Sequence, residues 1–206
     1  MAFLSSSPKI LKGAFVRFDP ESPQGRIIVF QYNPEKIYRR LEAPAKGYFP
    51  PKSPRETITF TMALDATDDL EDPDQHQNTA EFGIYSSLSA IEMLLYPHSS
   101  KRACRSFLGI RWSTKANKQS LTLLVWGNKR IVPVHVTALH INEEMFDPIL
   151  NPIQATIEVK MRVLNDSDLP RSHKGYDFWK SHIATKIAMA KVAYTDTSIN
   201  NLTTSK

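Results

Sequence analysis

The sequence FDPILNPIQATIEVKMRVL, residues 146–164, gives the clearest indication of how this chain folds. Its second half alternates between apolar and polar side chains with a period of two residues, the repeat of a half-buried β-strand. The apolar residues are Ala155, Ile157, Val159, Met161 and Val163, and the polar residues between them are Thr156, Glu158, Lys160 and Arg162. Two turns, Asp147-Pro148 and Asn151-Pro152, precede the alternation. The pattern therefore predicts a strand with one face in the core and the other in water.

Five further segments show the alternating or β-branched runs that are typical of strands. They lie at residues 14–18, 26–32, 56–64, 120–126 and 131–141. A turn with Pro and Gly separates the first two, and Gly127-Asn128 separates the last two, so each of these pairs is expected to form a hairpin. Residues 43–54 contain four prolines and predict an extended loop. Six strands of this kind favour a mainly β (α+β) fold, a β-sandwich or small barrel.

Two segments have helical periodicity instead. Residues 84–95 place apolar side chains at helical spacing, and the pattern stops before Pro97. Residues 176–194 have an amphipathic stripe formed by Tyr176, Trp179, Ile183, Ile187, Ala190 and Tyr194. Three partners fit this stripe: the β-domain of the same chain, a neighbouring subunit or partner protein, or a membrane surface. In the second case Trp179, Ile183 and Ile187 are the expected contact residues.

These elements predict the organisation of the chain. A β-domain is expected over residues 1–169, with a helix-containing insertion at 66–118. Residues 165–175 are expected to link this domain to the second helix. The C-terminal helical extension then occupies residues 170–206, of which the last twelve are polar.

Two segments within the insertion have opposite charge. Residues 65–81 contain seven acids and no Lys or Arg, whereas residues 97–119 contain six bases and no acid. One interpretation is two solvated loops. Another is contact across a subunit boundary in a ring, where complementary charge sets orientation and register. The residues expected at that boundary are Asp68, Asp69 and Asp72 on one side and Lys101, Arg102 and Arg105 on the other.

Each charged segment also has a ligand-binding interpretation. Carboxylates are dense in residues 65–81, as Ca²⁺ requires, but the spacing and the turn glycine of an EF-hand are missing. The bases of residues 97–119 come with Phe107 and Trp112, whose rings could stack on nucleic-acid bases, yet no recognised nucleic-acid motif surrounds them. A net charge of +5 over 206 residues is mild. We therefore expect neither a metal nor a nucleic-acid ligand.

A search for catalytic motifs finds no Gly-x-Ser-x-Gly elbow, P-loop, Gly-x-Gly-x-x-Gly or HExxH. His135 and His140 are five residues apart on a predicted strand, which places them on opposite faces and prevents a shared metal site. The single cysteine, Cys104, excludes an internal disulfide framework. No apolar run has the length of a signal peptide or a membrane span. We expect a cytoplasmic, non-enzymatic protein without a cofactor and without direct membrane insertion.

Five motifs, in this order, resemble the tube-protein family of contractile injection systems. They are KGAFVRFDP (residues 12–20), FQYNPE (30–35), LDATD (64–68), WGNKRIVPVHV (126–136) and the 146–164 segment. The resemblance extends over residues 11–169. It implies a hexameric ring in which strands from six subunits close into one barrel around a lumen. Such rings form the inner tube, and the same fold recurs in the adaptors that join this tube to a trimeric spike.

The resemblance further implies a place in the particle. Family members with a helix-containing insertion and an extended C-terminus resemble baseplate tube initiators, which often continue into a LysM module; no segment after Leu169 resembles one. We therefore expect a tube-initiator or spike-adaptor ring that contacts the inner tube protein, the spike and other baseplate proteins in an assembled injection particle. The repeating inner-tube subunit is the alternative within the family. Outside it, the alternatives are a nucleic-acid-binding β-barrel and a lipocalin-like ligand binder.

Overall fold

The computed structural model describes residues 11–19, 22–44, 53–96 and 120–194. Within these ranges the chain is mainly β, as predicted, with seven strands and four helices. The strands are β1 (Ala14–Asp19), β2 (Ser22–Val29), β3 (Ile37–Glu42), β4 (Arg55–Asp65), β5 (Leu121–Val125), β6 (Ile131–Phe146) and β7 (Pro152–Val163). The helices are α1 (Thr67–Leu70), α2 (Gln77–Phe82), α3 (Tyr85–Glu92) and α4 (Lys174–Ala193).

The strands form one antiparallel sheet in the order β2-β1-β5-β6-β7-β4-β3. Both predicted hairpins are present, because β1 pairs with β2 and β5 pairs with β6. The inward side chains of β7 are each at most 5% exposed, and they are Ala155, Ile157, Val159, Met161 and Val163. The strand predicted from the alternation at residues 146–164 is therefore confirmed. It begins at Pro152 because the preceding five residues form the turn that joins it to β6.

The sheet curls, so strands that are far apart in sheet order face each other. Four strand spacings separate β1 from β4, about 19 Å in a flat sheet, yet the ring centroids of Phe15 on β1 and Phe60 on β4 are 6.2 Å apart. The ring of Phe30, which follows β2, lies 5.1 Å from Phe15 and 5.6 Å from Phe60. Trp126 packs against the same cluster. These aromatic rings fill the space between the two halves of the sheet.

Several strand boundaries differ from the sequence predictions. The sequence analysis missed β3, because IYRRLE has no regular apolar–polar alternation. β2 begins at Ser22 and ends at Val29, earlier than the predicted residues 26–32. β6 extends five residues beyond the predicted end at Ile141 and reaches Phe146. Strand ends depend on pairing with neighbours that the local pattern does not contain.

A bulge in β6 overturns the prediction for His135 and His140. The register with β7 shifts between Val136 and Ala138, so one extra residue reverses the alternation. His135 lies opposite Arg162 and His140 opposite Glu158, which are on the same face of β7. The two histidines therefore share a face. Four residues of β7 still separate their positions, roughly 13 Å, which is too far for a common metal ion.

The described part of the insertion, residues 66–96, contains three short helices where one was predicted. The helix predicted at residues 84–95 corresponds to α3, which covers the core with Leu88 and Ile91. Gly83 fixes its approach to the sheet, since its φ is +56° and an added Cβ would lie 2.2 Å from the carbonyl oxygen of Pro152. The same oxygen accepts the N–H of Ile84 at 2.8 Å. Glycine is required for this close contact between α3 and β7.

Candidate subunit interface

The sheet has three strand edges without a partner among the described residues. β2 pairs only with β1, and β3 pairs only with β4. β5 pairs with only the first four residues of β6, Ile131 to Val134. Beyond Val134, β6 pairs with β7 on one side and with no described strand on the other. Unpaired backbone N–H and C=O groups on such edges are available to a strand of another chain.

Apolar side chains are exposed on the two outer edge strands. Ile27 on β2 and Tyr38 on β3 are each 65% exposed, and Val29 and Leu41 on the same strands are also exposed. An exposed apolar edge is a liability in a monomer because it promotes association. In an assembly of several chains, the same edges and side chains would be covered.

The turn between β6 and β7 presents a second apolar surface. The carboxylate of Asp147 accepts the backbone N–H groups of Ile149 and Asn151, each at 2.8 Å, and the Asn151 side chain at 2.9 Å. Partial desolvation would raise the pKa of Asp147, but these hydrogen bonds outweigh it and hold that pKa below its ordinary value. Leu150 has a left-handed φ of 69° and is 78% exposed. The turn thus holds Ile149 and Leu150 in solvent, beside exposed Met145 and Phe146.

Three of the motifs that suggested the tube-protein family meet at one place. Gln31 of FQYNPE accepts the N–H of Asp65 at 2.8 Å and donates to the Asp65 carbonyl at 2.5 Å, so its carboxamide takes the place of a neighbouring strand. Gln154 of the 146–164 segment donates to the Asp65 carboxylate at 2.9 Å. The Thr67 hydroxyl donates a hydrogen bond to the Asp65 carboxylate and lowers its pKa most, and the backbone N–H of Thr67 lowers it next. Slight desolvation raises the pKa of Asp65, but the hydrogen bonds outweigh it. These contacts join the ends of β2, β4 and β7.

The KGAFVRFDP motif contains a buried ion pair. Arg17 donates to the Asp19 carboxylate at 2.8 Å, and both side chains are almost fully buried. The other guanidinium nitrogens donate to the carbonyls of Met93 and Tyr96 and to the Ser120 hydroxyl. Arg17 therefore holds the chain on both sides of residues 97–119, at the base of the insertion.

The predicted acidic contact residues lie on and beside α1. Asp68 is exposed in its first turn; Asp69 accepts the Thr79 hydroxyl at 3.2 Å and lies 3.6 Å from His76. Asp72 accepts the Gln75 side chain at 2.6 Å. The predicted basic partners Lys101, Arg102 and Arg105 lie outside the described residues. Within the described ranges no three His, Cys, Asp or Glu side chains are grouped as a metal site would require.

The C-terminal helix α4 packs on the chain's own sheet, next to β6, which is the first of the three partners considered above. Trp179 and Ile183 are half-buried, as the stripe predicted, but Ile187 is exposed. The packed face instead centres on buried His182 and on Lys186, whose Nζ lies 2.7 Å from the Glu56 carboxylate. Ile187 therefore does not take part in packing on the chain's own sheet, and contact of Trp179, Ile183 and Ile187 with a neighbouring subunit stays a prediction.

Glu56 is an anchor that the sequence analysis missed. It lies on the inward face of β4 and binds both Lys186 and Arg39, each through a hydrogen bond of 2.7 Å. Burial alone would raise the pKa of Glu56, but the hydrogen bonds from Lys186 and Arg39 outweigh it and lower that pKa. The sequence contained a signal for this position. Glu56 lies two and four positions before the apolar residues Ile58 and Phe60, so alternation places it on the same, inward face of the strand.

Comparison with known proteins adds no family: no protein-family model matches the chain, and no curated protein matches it significantly. None of the helices in the described ranges is both long and apolar enough to cross a membrane.

Proposed function

We propose that this chain is a structural subunit of a contractile injection system. Six copies form a tube-initiator or adaptor ring that joins the inner tube to the baseplate and spike. The main support is the curled antiparallel sheet, which leaves one edge of β2, one edge of β3 and one side of β6 beyond Val134 without a strand partner among the described residues. Ring closure would pair such edges and cover Ile27 and Tyr38.

The motif order supports the choice of this family. Gln31, Asp65 and Gln154 come from three separate motifs and form one hydrogen-bonded junction at the sheet ends. Such a junction fixes the relative position of β2, β4 and β7, and a ring subunit needs edges in a fixed position to repeat a contact around an axis. The exposed turn at Ile149 and Leu150 is the surface that we assign to an adjoining ring or baseplate component.

The role in the ring is templating rather than catalysis. A ring that presents strand edges and turns in sixfold register provides the surface on which the next ring of tube subunits assembles. In this proposal Asp68, Asp69 and Asp72 contact the basic segment of the neighbouring subunit, which contains Lys101, Arg102 and Arg105. Charge reversal of the three bases to Glu should impair assembly, and reversal of the three acids to Lys in the same chain should partly restore it.

The test of function is the copy number of the chain in purified injection particles. Quantitative mass spectrometry should give about six copies for each trimeric spike if the chain forms one adaptor ring. Hundreds of copies would instead identify the repeating inner-tube subunit. Absence from the particle would contradict both assignments and leave a function outside the injection system.

A further inference from the structure

A pocket of about 330 Å³ lies between the edge strand β3, the turn that joins β5 to β6, and the helix α4. Its lining residues are Arg39, Trp126, Lys129, Arg130, His182, Thr185, Lys186 and Met189. A larger cavity of about 480 Å³, beside β2 and α3, is lined by apolar and small polar side chains together with Asp65 and Asp69, and by no Lys or Arg. The two cavities thus differ in the sign of their charge.

Positive charge in the smaller pocket exceeds the negative charge available to balance it. Arg39 and Lys186 share the single carboxylate of Glu56. Lys129 and Arg130 line the same pocket and have no carboxylate within ion-pair distance among the described residues. Four cationic side chains therefore face one carboxylate, and a further anion would be attracted to the pocket.

His182 gives a second, independent indication that the pocket binds an anion. It is 7% exposed, lines the pocket, and neither ring nitrogen has a hydrogen-bond partner among the described residues. A buried imidazole carries at least one N–H donor, and leaving such a donor unpaired is unfavourable. Most buried polar groups in folded proteins have a partner, so an orphaned ring in a cationic pocket indicates a missing acceptor.

We propose that this pocket binds an oxyanion, a phosphate or carboxylate group, through Lys129, Arg130 and His182. The oxyanion supplies an acceptor for His182 and negative charge for Lys129 and Arg130, none of which has such a partner in the described part of the chain. Trp126 and Met189 form apolar walls, and the volume of about 330 Å³ admits a small anion or an acidic side chain together with water. The source of the group is either a small free anion or a carboxylate of a neighbouring chain.

The charges around His182 support this assignment. Burial, followed by the charge of Lys186, lowers the pKa of His182 to about 4; the charges of Arg39 and Arg130 act in the same direction, and Glu56 opposes them. A bound oxyanion would oppose the cations and stabilise the protonated ring. Anion binding should therefore raise the pKa of His182.

The test uses inorganic phosphate and the isolated full chain at low ionic strength, followed by calorimetry and by NMR of the His182 ring. Saturable binding is expected, with a pKa of His182 that rises above its value of about 4. The variant Lys129→Gln/Arg130→Gln should bind phosphate at least about tenfold more weakly. The control Arg171→Gln/Lys180→Gln removes the same charge from outside the pocket, and its affinity should change less than about twofold.

Equal losses in the two double variants would mean that net charge alone attracts phosphate, and this would overturn the proposal. So would the absence of saturable binding, or binding that leaves the pKa of His182 unchanged. In assembled rings free of phosphate, a raised pKa of His182 would assign the oxyanion to a carboxylate of a neighbouring chain. A pKa still near 4 in the ring, with phosphate binding retained, would assign it to a small free anion. The phosphate-binding measurement uses the isolated chain and does not require a ring. This proposal and the proposed function can therefore fail separately.

Discussion

β7 and β3 belong to the same antiparallel sheet but differ in what surrounds them. β7 has a strand on each side, and its inward residues such as Val159 are fully buried. β3 has one described partner, β4, and exposes Tyr38 and Leu41 to solvent. Burial of an aliphatic side chain contributes about 2 kcal/mol to the free energy of unfolding, whereas an exposed one contributes little. Stability therefore resides in the interior strands, and the apolar groups of the edge are available for contact with other chains.

The largest effect should come from a charge placed on the interior strand. Val159→Lys puts an ammonium group at a fully buried position, which should lower the free energy of unfolding by about 5 kcal/mol or more. Lys160→Thr alters the next residue, whose side chain is exposed to solvent. This variant should change the free energy of unfolding by less than about 0.5 kcal/mol. Urea denaturation followed by tryptophan fluorescence measures both. Similar losses in the two variants would contradict the assignment of the two faces of β7.

Removal of one partner of a buried ion pair should also be costly, as at Arg17 on the interior strand β1. Arg17→Met leaves Asp19 buried without its closest cation and removes the bonds to Met93, Tyr96 and Ser120. The expected loss in the free energy of unfolding is about 3 to 5 kcal/mol.

Arg26→Gln is the matched control for Arg17→Met. Arg26 lies 3.6 Å from the same Asp19 carboxylate, but its side chain is largely exposed. Its replacement should cost less than about 1 kcal/mol. A small loss at Arg17→Met, or a loss at Arg26→Gln as large as that at Arg17→Met, would contradict the role assigned to the buried ion pair.

The interior strands were predictable because their evidence is local. At β4 and β7 the apolar residues recur at every second position, and the buried face follows directly from that period. β3 was not predictable in the same way, since IYRRLE places Arg39 between Ile37 and Leu41. Its strand conformation depends on backbone pairing with β4, which begins beyond the four-proline segment at residues 43–54. Propensity is a weak guide where such pairing decides the conformation.

The candidate sites were harder to predict than the fold. The contact between Glu56 and Lys186 joins residues 130 positions apart, and no local sequence pattern predicts it. The bulge in β6 adds one residue and moves His140 to the same face as His135, whereas strict alternation predicts the opposite. The prediction that Asp68, Asp69 and Asp72 contact a neighbouring subunit stays a prediction, because it concerns a second chain.

A smaller effect should appear next to the edge strand, where His182 and Arg39 line one pocket. The folded pKa of His182 is about 4, below the ordinary value of 6.5, so the unfolded chain takes up a proton that the folded chain does not. The stabilising contribution is complete above pH 6.5 and is lost as pH falls towards 4, by roughly 3 kcal/mol in total.

Urea denaturation in phosphate-free buffer at several pH values between about 7.5 and about 5.5 measures the upper part of this slope, because Glu56, whose pKa is lowered from 4.5, contributes to the pH dependence mainly below about pH 5.5. His182→Gln should flatten the slope, and His135→Gln, on the exposed face of β6, should leave it unchanged. A slope that persists in His182→Gln would assign the pH dependence to other groups.

The smallest effect on the folded chain should come from a charge placed on the edge strand. Leu41→Lys introduces the same side chain as Val159→Lys, but at an exposed position of β3, so the free energy of unfolding should change by less than about 0.5 kcal/mol. Lysine on an edge opposes pairing with another strand, so the variant should lose ring assembly while it stays folded. Thr61→Lys adds the same charge on the solvent face of the interior strand β4 and should still assemble. Light scattering after size-exclusion chromatography separates rings from single chains. Normal assembly of Leu41→Lys would show that β3 is not a ring contact and would leave β2 and the part of β6 beyond Val134 as the remaining edges.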